Sequence, residues 1–426
     1  MSPKPTSGRP WWLERLGDRW RRLPKPALVR RLISEQATKA MVAAINSAPL
    51  PERRPMADLD PGPLLLSGFF GEVLGVGSAA RLTAGGLRQA GLSPILDDLA
   101  PQLELPLYAR RDFPLGEPGG VWISHCNAPE LKRMVYMYPN GALSARYRIG
   151  YWAYELEQLP LDWRPTARAL HEIWTPSRFV VDAVRRSIGD DIPITIMPHP
   201  TADLSHIRAD RARFGVKPDA FVVLVLFDLR STRARKNPDA AVEAYLQAFP
   251  EPSGAAMLVC KVTASDKAPA EFAKLQQRIG ARRDILLLTD RLDDDGVWSL
   301  IASADVLLSL HRAEGYGLVL AEAMKLGRCV VATGWSGNMD FMNAGNAVPI
   351  PFRRIQVKDP QKQYLAPDQT WADADVGAAA DALLRLKADP VERRRLGDRA
   401  LQTLTRHEAG FAAVLASAPW RRLAAP

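Results

Sequence analysis

Between residues 63 and 332 short apolar runs of strand length alternate with segments of helix length, and the alternation occurs twice. The first series of strand-like runs is 63–68, 121–125, 147–152, 172–175 and 194–197; the second is 221–227, 256–261, 285–288, 306–310 and 329–332. Helical stretches such as 78–89 and 239–249 lie between them, and Pro198, Pro200 and a polar segment separate the two series. Apolar strands alternating with helices demand a parallel sheet covered on both faces. The chain is therefore expected to be α/β, with two Rossmann-like domains facing each other across a cleft. The expected bounds are a basic N-terminal extension at 1–60, a first domain at 61–200, a linker at 201–218, a second domain at 219–405 and a C-terminal tail at 406–426. Ligands of open α/β sheets bind beyond the C-terminal ends of the strands, so the cleft is where the chemistry should lie.

A length of 426 residues suits two such domains, and a hydrophobic content of 47% is enough to fill their cores. Residues 1–60 hold 12 of the Lys and Arg and 6 of the Asp and Glu, and so supply most of the net charge of +9. The body is nearly balanced, which argues against nucleic acid as a partner, because such proteins carry a basic face on the folded domain. In the extension Trp11, Trp12, Leu13, Leu16 and Trp20 interleave with Arg15, Arg19, Arg21 and Arg22. That composition fits an interfacial helix making a peripheral membrane contact, though charges of both signs weaken that reading, and the plainer alternative is an appendage packed on its own enzyme or left partly disordered. No run approaches the ~18 apolar residues of a membrane span. The N-terminal stretch lacks the pattern of a signal peptide, and Cys126, Cys260 and Cys329 are scattered without CxxC spacing, so a cytoplasmic location with reduced thiols is expected. No His/Cys cluster proposes a metal site.

The most informative stretch is HRAEGYGLVLAEAM, residues 311–324, which follows a strand and opens a helix. Gly315 and Gly317 allow backbone to approach a ligand at the helix start, where unpaired N–H groups favour an anion such as a diphosphate. Glu314 precedes the helix and Glu322 lies two turns along it; carboxylates accept from the hydroxyls of a sugar or ribose. The plain alternative is that Glu322 is a helix-surface acid and Glu314 a helix-start residue.

This stretch resembles the Glu-x7-Glu signature of the group 1 retaining glycosyltransferases, which have the GT-B fold. Five further stretches resemble bacterial members in the same order. They are GVGSAAR (75–81, a glycine-rich loop with Gly75 and Gly77), IGYWAYE (149–155), EIWTPSRF (172–179), RKNP (235–238) and TGWSGNMD (333–340). The resemblance spans roughly residues 63–410. It implies transfer of a sugar from a nucleotide-sugar donor to a glycan or lipid-linked acceptor with retention of configuration, in bacterial surface-polysaccharide assembly. Glu314 would contact the transferred sugar and Glu322 the ribose. Backbone amides of Gly315, Tyr316, Gly317 and Leu318 would meet the diphosphate, and Gly337 and Asn338 would face the donor. Lys236 and Arg235 would neutralise the leaving group. Where many members have an arginine five residues before the lysine this chain has Ser231, so the grip would rest on Arg235 or on Lys261, which could as well be a solvated lysine. Glu155 is the best first-domain carboxylate near the acceptor, and His125 could stabilise charge near the sugar; each has an ordinary structural alternative. The nucleotide-sugar is a substrate, no cofactor is implied, and basic side chains with helix dipoles can replace a metal.

Two other readings compete. Gly75, Gly77 and Ala80 fit a relaxed dinucleotide fingerprint, with Asp97 standing 22 positions after Gly75 where a ribose-binding acid would be, as in a nicotinamide dehydrogenase. Against this, residues 69–74 make the turn too long. The other reading is a non-catalytic sugar-nucleotide-binding protein, against which Glu314, Glu322 and Lys236 all stand intact.

Overall fold

The computed structural model describes residues 50–72, 75–104, 113–138, 142–252, 254–366 and 368–424. The tryptophan- and arginine-rich part of the extension, and Val73 and Leu74 of the glycine-rich turn, lie outside these residues.

The first domain contains β1 (Leu64–Gly68), α1 (Val76–Gln89), β2 (Ile95–Asp98), β3 (Val121–His125), α2 (Ala128–Met137), β4 (Tyr147–Tyr151), β5 (Glu172–Thr175), α3 (Arg178–Ile188) and β6 (Ile194–Ile196). Its strands pair in parallel in the order β2-β1-β3-β4-β5-β6. The second domain contains β7 (Phe221–Asp228), α4 (Pro238–Ala248), β8 (Ala256–Thr263), α5 (Pro269–Ile279), β9 (Ile285–Leu288), α6 (Asp294–Ser303), β10 (Val306–Ser309), α7 (Leu318–Lys325), β11 (Cys329–Thr333) and β12 (Val348–Ile350). Its order is β12-β11-β10-β7-β8-β9, again parallel. A hairpin of β13 (Phe352–Gln356) and β14 (Thr370–Ala374), then α8 (Val376–Ala388) and α9 (Pro390–Ser417), complete the chain. This is the GT-B architecture, two Rossmann-like domains in one chain.

The apolar runs form strands because both faces of each sheet are covered by helices: every residue of β1, β3, β4, β5 and β11 is buried. Helix starts follow capping chemistry. Ser177 accepts from the Val180 N–H at the start of α3, Asp293 from Gly296 at the start of α6, and Asp389 from Val391 and Glu392 at the start of α9.

Chain order reverses between β1 and β3 in the first sheet and between β7 and β10 in the second. These are the switch points at which open α/β sheets leave a crevice. The loops after β7 and β10 carry the basic stretch and the Glu-x7-Glu stretch.

Two segments differ from a simple reading of the chain. Residues past 405 are not peripheral: Phe411, Leu415, Trp420 and Leu423 are buried in the first domain's core with Leu64, Leu66, Val121 and Trp174. The end of the extension is likewise docked. Arg53 donates to the Leu170 carbonyl at 2.7 Å, Arg148 to Pro51 O at 3.0 Å, and His171 Nε2 lies 2.8 Å from Arg54 O. None of the described helices is long and apolar enough to cross a membrane.

Candidate active site

The one-turn helix Arg233–Lys236 after β7 brings two cations to the loop after β10. Lys236 Nζ donates to Glu314 Oε1 at 2.5 Å, and Arg235 Nη1 lies 3.3 Å from Glu314 Oε2. Burial alone would raise the Glu314 carboxyl, but Lys236 and Arg235 outweigh it and hold it near 2. Glu314 is therefore a fixed anion at neutral pH, with two cations as counterions.

The Glu314 loop is fastened from behind. Its N–H donates to Ser336 Oγ at 2.8 Å and its carbonyl accepts from the Gly337 N–H at 2.9 Å. A Cβ on Gly337 would stand 2.1 Å from the Gly315 carbonyl oxygen, so only glycine lets the loop 334–338 approach this closely. Asn338 is buried; its amide donates to Thr333 O at 3.0 Å and its oxygen lies 3.2 Å from His311 Nε2. Gly317, with φ of +95°, is the N-cap of α7, whose first turn presents the N–H groups that a helix leaves unpaired. Leu318 opens that turn, and the Tyr316 ring is buried against His199 and Phe341, each 5.0 Å away between ring centres.

Glu322 sits in a different environment. Its side chain accepts from Trp298 Nε1 at 3.0 Å. Burial pushes its carboxyl up to about 7, helped by Asp294 and opposed by Trp298 and Arg81.

The first domain closes on this group from the C-terminal ends of several of its strands and from α1. Ser177, the cap of α3, donates to Gly315 O at 2.6 Å, and the next amide, Arg178, donates to Asp340 Oδ2 at 2.8 Å. Arg81 of α1 pairs with Asp294 at 3.0 Å, and Arg230 with Glu72 at 3.0 Å. Glu155 Oε1 stands 3.5 Å from Arg235 Nη2, and Glu155 Oε2 accepts from the Tyr364 hydroxyl at 2.8 Å. His125 ends β3, with its ring 4.3 Å from Tyr151 and its Nε2 buried without a partner. Burial lowers its pKa to about 4, so the imidazole is neutral at pH 7.

Four candidates from the sequence thus meet in one network: Glu314, Lys236, Arg235 and Glu155. Lys261 is buried in β8, its ammonium 3.5 Å from Val262 O; burial lowers its pKa against the pull of Asp290 and Asp228. Gly75 caps α1 and Gly77 lies buried in its first turn. Asp97 is not placed to hold a ribose. It is 1% exposed at the end of β2 and accepts from Tyr138, which also bonds Ser67 at 2.7 Å. Ser177 and Asp340 lie in the EIWTPSRF and TGWSGNMD stretches but were given no role from sequence, and Trp298 and Tyr364 were not singled out at all. Among the described residues no group of three or more His, Cys, Asp or Glu is placed to hold a metal ion.

Residues 228–389 match the family described as glycosyl transferases group 1. Lipopolysaccharide glucosyltransferase WaaG of Escherichia coli is 30% identical over 169 residues, which are 38% of this chain and 43% of that protein. The match thus spans less than half the length of this curated relative. Among solved structures, sucrose-phosphate synthase from Thermosynechococcus elongatus superposes with a TM-score of 0.62 at 15% identity, covering 85% of this chain and 98% of that one. HepE of Anabaena in complex with UDP and glucose superposes with a TM-score of 0.59 at 13% identity, covering 84% and 100%. At such identities the likeness concerns the fold.

Proposed function

We propose that this chain, a relative of the group 1 glycosyltransferases with their GT-B fold, transfers a sugar from a nucleotide-sugar donor to a glycan or lipid-linked acceptor with retention of anomeric configuration. The observation that carries the reading is the half-buried, ionised Glu314 held by Lys236 and Arg235 beside the glycine-marked start of α7. A carboxylate of this kind accepts hydroxyls of the sugar, while the adjacent ammonium and helix N-terminus suit a diphosphate.

In this reading the second domain, 219–405, holds the donor and the first, 61–200, the acceptor. Glu322 takes the ribose hydroxyls and Lys236 meets the diphosphate. The sugar C1–O bond to phosphate breaks as the acceptor oxygen bonds C1 on the same face, and the acceptor proton passes to the departing phosphate oxygen. Lys236 is placed to balance the charge that grows on that oxygen, which in a cleft closed to water lowers the barrier strongly. His125, neutral and with a free nitrogen, faces the first domain's switch point and can hydrogen-bond near the sugar. Glu155 acts through Arg235. The likeness to a lipopolysaccharide glucosyltransferase supports an acceptor in surface-glycan assembly, built at the inner face of the membrane, and the basic extension, 1–60, would make any peripheral contact there.

A screen of UDP-, ADP- and GDP-sugars tests the reading by following nucleotide release. Slow hydrolysis of at least one donor is expected without acceptor, and release by none of them contradicts the reading.

A further inference from the structure

The segment joining β13 to β14 is long, polar in sequence and unused by the reaction described above, yet its described residues bond directly to the site. Its base is closed by Val357 N–H donating to Gln369 O at 3.0 Å. From there it reaches two places. One is the loop after β7: Gln361 accepts from the Arg233 N–H at 2.6 Å and donates to Leu229 O at 3.1 Å. Gln363 donates to Arg230 O at 2.6 Å, and Asp359 accepts from the Thr232 hydroxyl at 2.7 Å. That loop needs outside support, because Thr232, a β-branched residue, is held at φ +48°.

The other place is the first domain. Val357, Tyr364 and Trp371 are buried in its hydrophobic core with Tyr154, Leu156 and Trp163. Gln369 exchanges two bonds with the backbone of Gln158, at 2.9 and 3.1 Å, and Arg354 pairs with Glu157. Tyr364 donates to Glu155, Glu155 faces Arg235, and Arg235 faces Glu314. The Arg235 side chain is 5% exposed, with Nη1 also on Ala313 O at 2.9 Å and Nη2 on Ser231 O at 3.4 Å; Lys236 is 22% exposed.

We propose that residues 357–366, together with Gln369, act as a positioning strap. It fixes the strained basic loop and, through Tyr364, Glu155 and Arg235, aims Glu314 with the two domains closed. Arg235 organises this relay instead of touching the diphosphate, which falls to Lys236. The relay's catalytic meaning rests on the glycosyltransferase reading; the mechanical coupling does not.

The test uses the full chain and two variants. Tyr364→Phe removes one hydroxyl from a ring that stays packed, and Gln361→Ala removes two bonds to the basic loop. With a donor that the wild type hydrolyses, Tyr364→Phe should lower kcat about tenfold, the scale for a displaced catalytic group, with KM for the donor and the melting temperature nearly unchanged. Gln361→Ala should instead raise KM for the donor and weaken binding of the matching nucleoside diphosphate several-fold. Hydrogen exchange, read without substrate, should quicken in residues 229–236 of Gln361→Ala while β8 and β11 keep their protection. Wild-type kcat in Tyr364→Phe together with unchanged exchange in Gln361→Ala overturns the strap. If the wild type hydrolyses no donor, the functional reading fails, and the exchange comparison alone decides whether the strap holds the loop.

Discussion

Glu314 and Glu322 lie eight residues apart, and their surroundings push them in opposite directions. Two cations keep Glu314 ionised near 2, whereas burial beside Trp298 raises Glu322 to about 7. A carboxyl raised in the folded state binds its proton more tightly there than in the unfolded chain. Its folded form is therefore favoured at low pH, and stability declines as pH rises from about 4.5 towards 7 and then levels off. The shift corresponds to something on the order of 3 kcal/mol. Glu322→Gln, which cannot ionise, should match the wild type near pH 5 and exceed it at pH 8 when both are unfolded with urea. If the two unfold alike at both pH values, Glu322 is not strained by ionisation. The same group gives function a pH dependence: the ionised carboxylate is the better acceptor for ribose hydroxyls, so nucleotide affinity should rise through pH 7. Glu314 and Glu322 could be singled out from sequence because glycines and a strand-to-helix switch mark their stretch locally, and Lys236 because RKNP resembles the family's basic stretch. Tyr364 and Trp298 could not, since what makes them part of the site is a partner 209 residues away in one case and 24 in the other.

At the scale of elements, strands buried on both faces read as unbroken apolar runs, and their bounds in the sequence lie within a residue or two of those in the fold. The hairpin of β13 and β14 escaped because Arg353, Arg354 and Gln356 make it polar and its apolar partners belong to the other domain. β2 escaped because it is four residues long and half acidic. The end of α9 was equally silent. Phe411 packs on α1, where a Cβ on Gly86 would meet its ring at 2.5 Å, a contact no local pattern announces. Phe411→Ala should cost about 3–5 kcal/mol of stability, the range for removing a buried phenyl ring. A urea midpoint within error of the wild type would show that this end of the chain is not part of the first domain's core.

For the whole molecule, the sequence conveys two domains because the strand series occurs twice, whereas the first switch point is not in that series, since it depends on β2 pairing on the far side of β1. How tightly the cleft closes is not in that series. It depends on Arg81 with Asp294, Arg230 with Glu72, and Ser177 with Gly315, pairs separated by 138 residues or more. Residues 51–54 of the extension are tied to β4 and to the residues just before β5, which makes that stretch a portion of the fold. The central claim is that the second domain's switch point holds a sugar donor, with Glu314 on the sugar and Lys236 on the diphosphate. Glu314→Gln separates the two halves of that claim in one comparison of donor turnover with affinity for the free nucleoside diphosphate. Removing the carboxylate's charge leaves Lys236 without its counterion, so free-nucleotide affinity should hold or tighten while turnover falls by about a hundredfold. Turnover at the wild-type rate, or loss of free-nucleotide binding in step with turnover, would contradict the account.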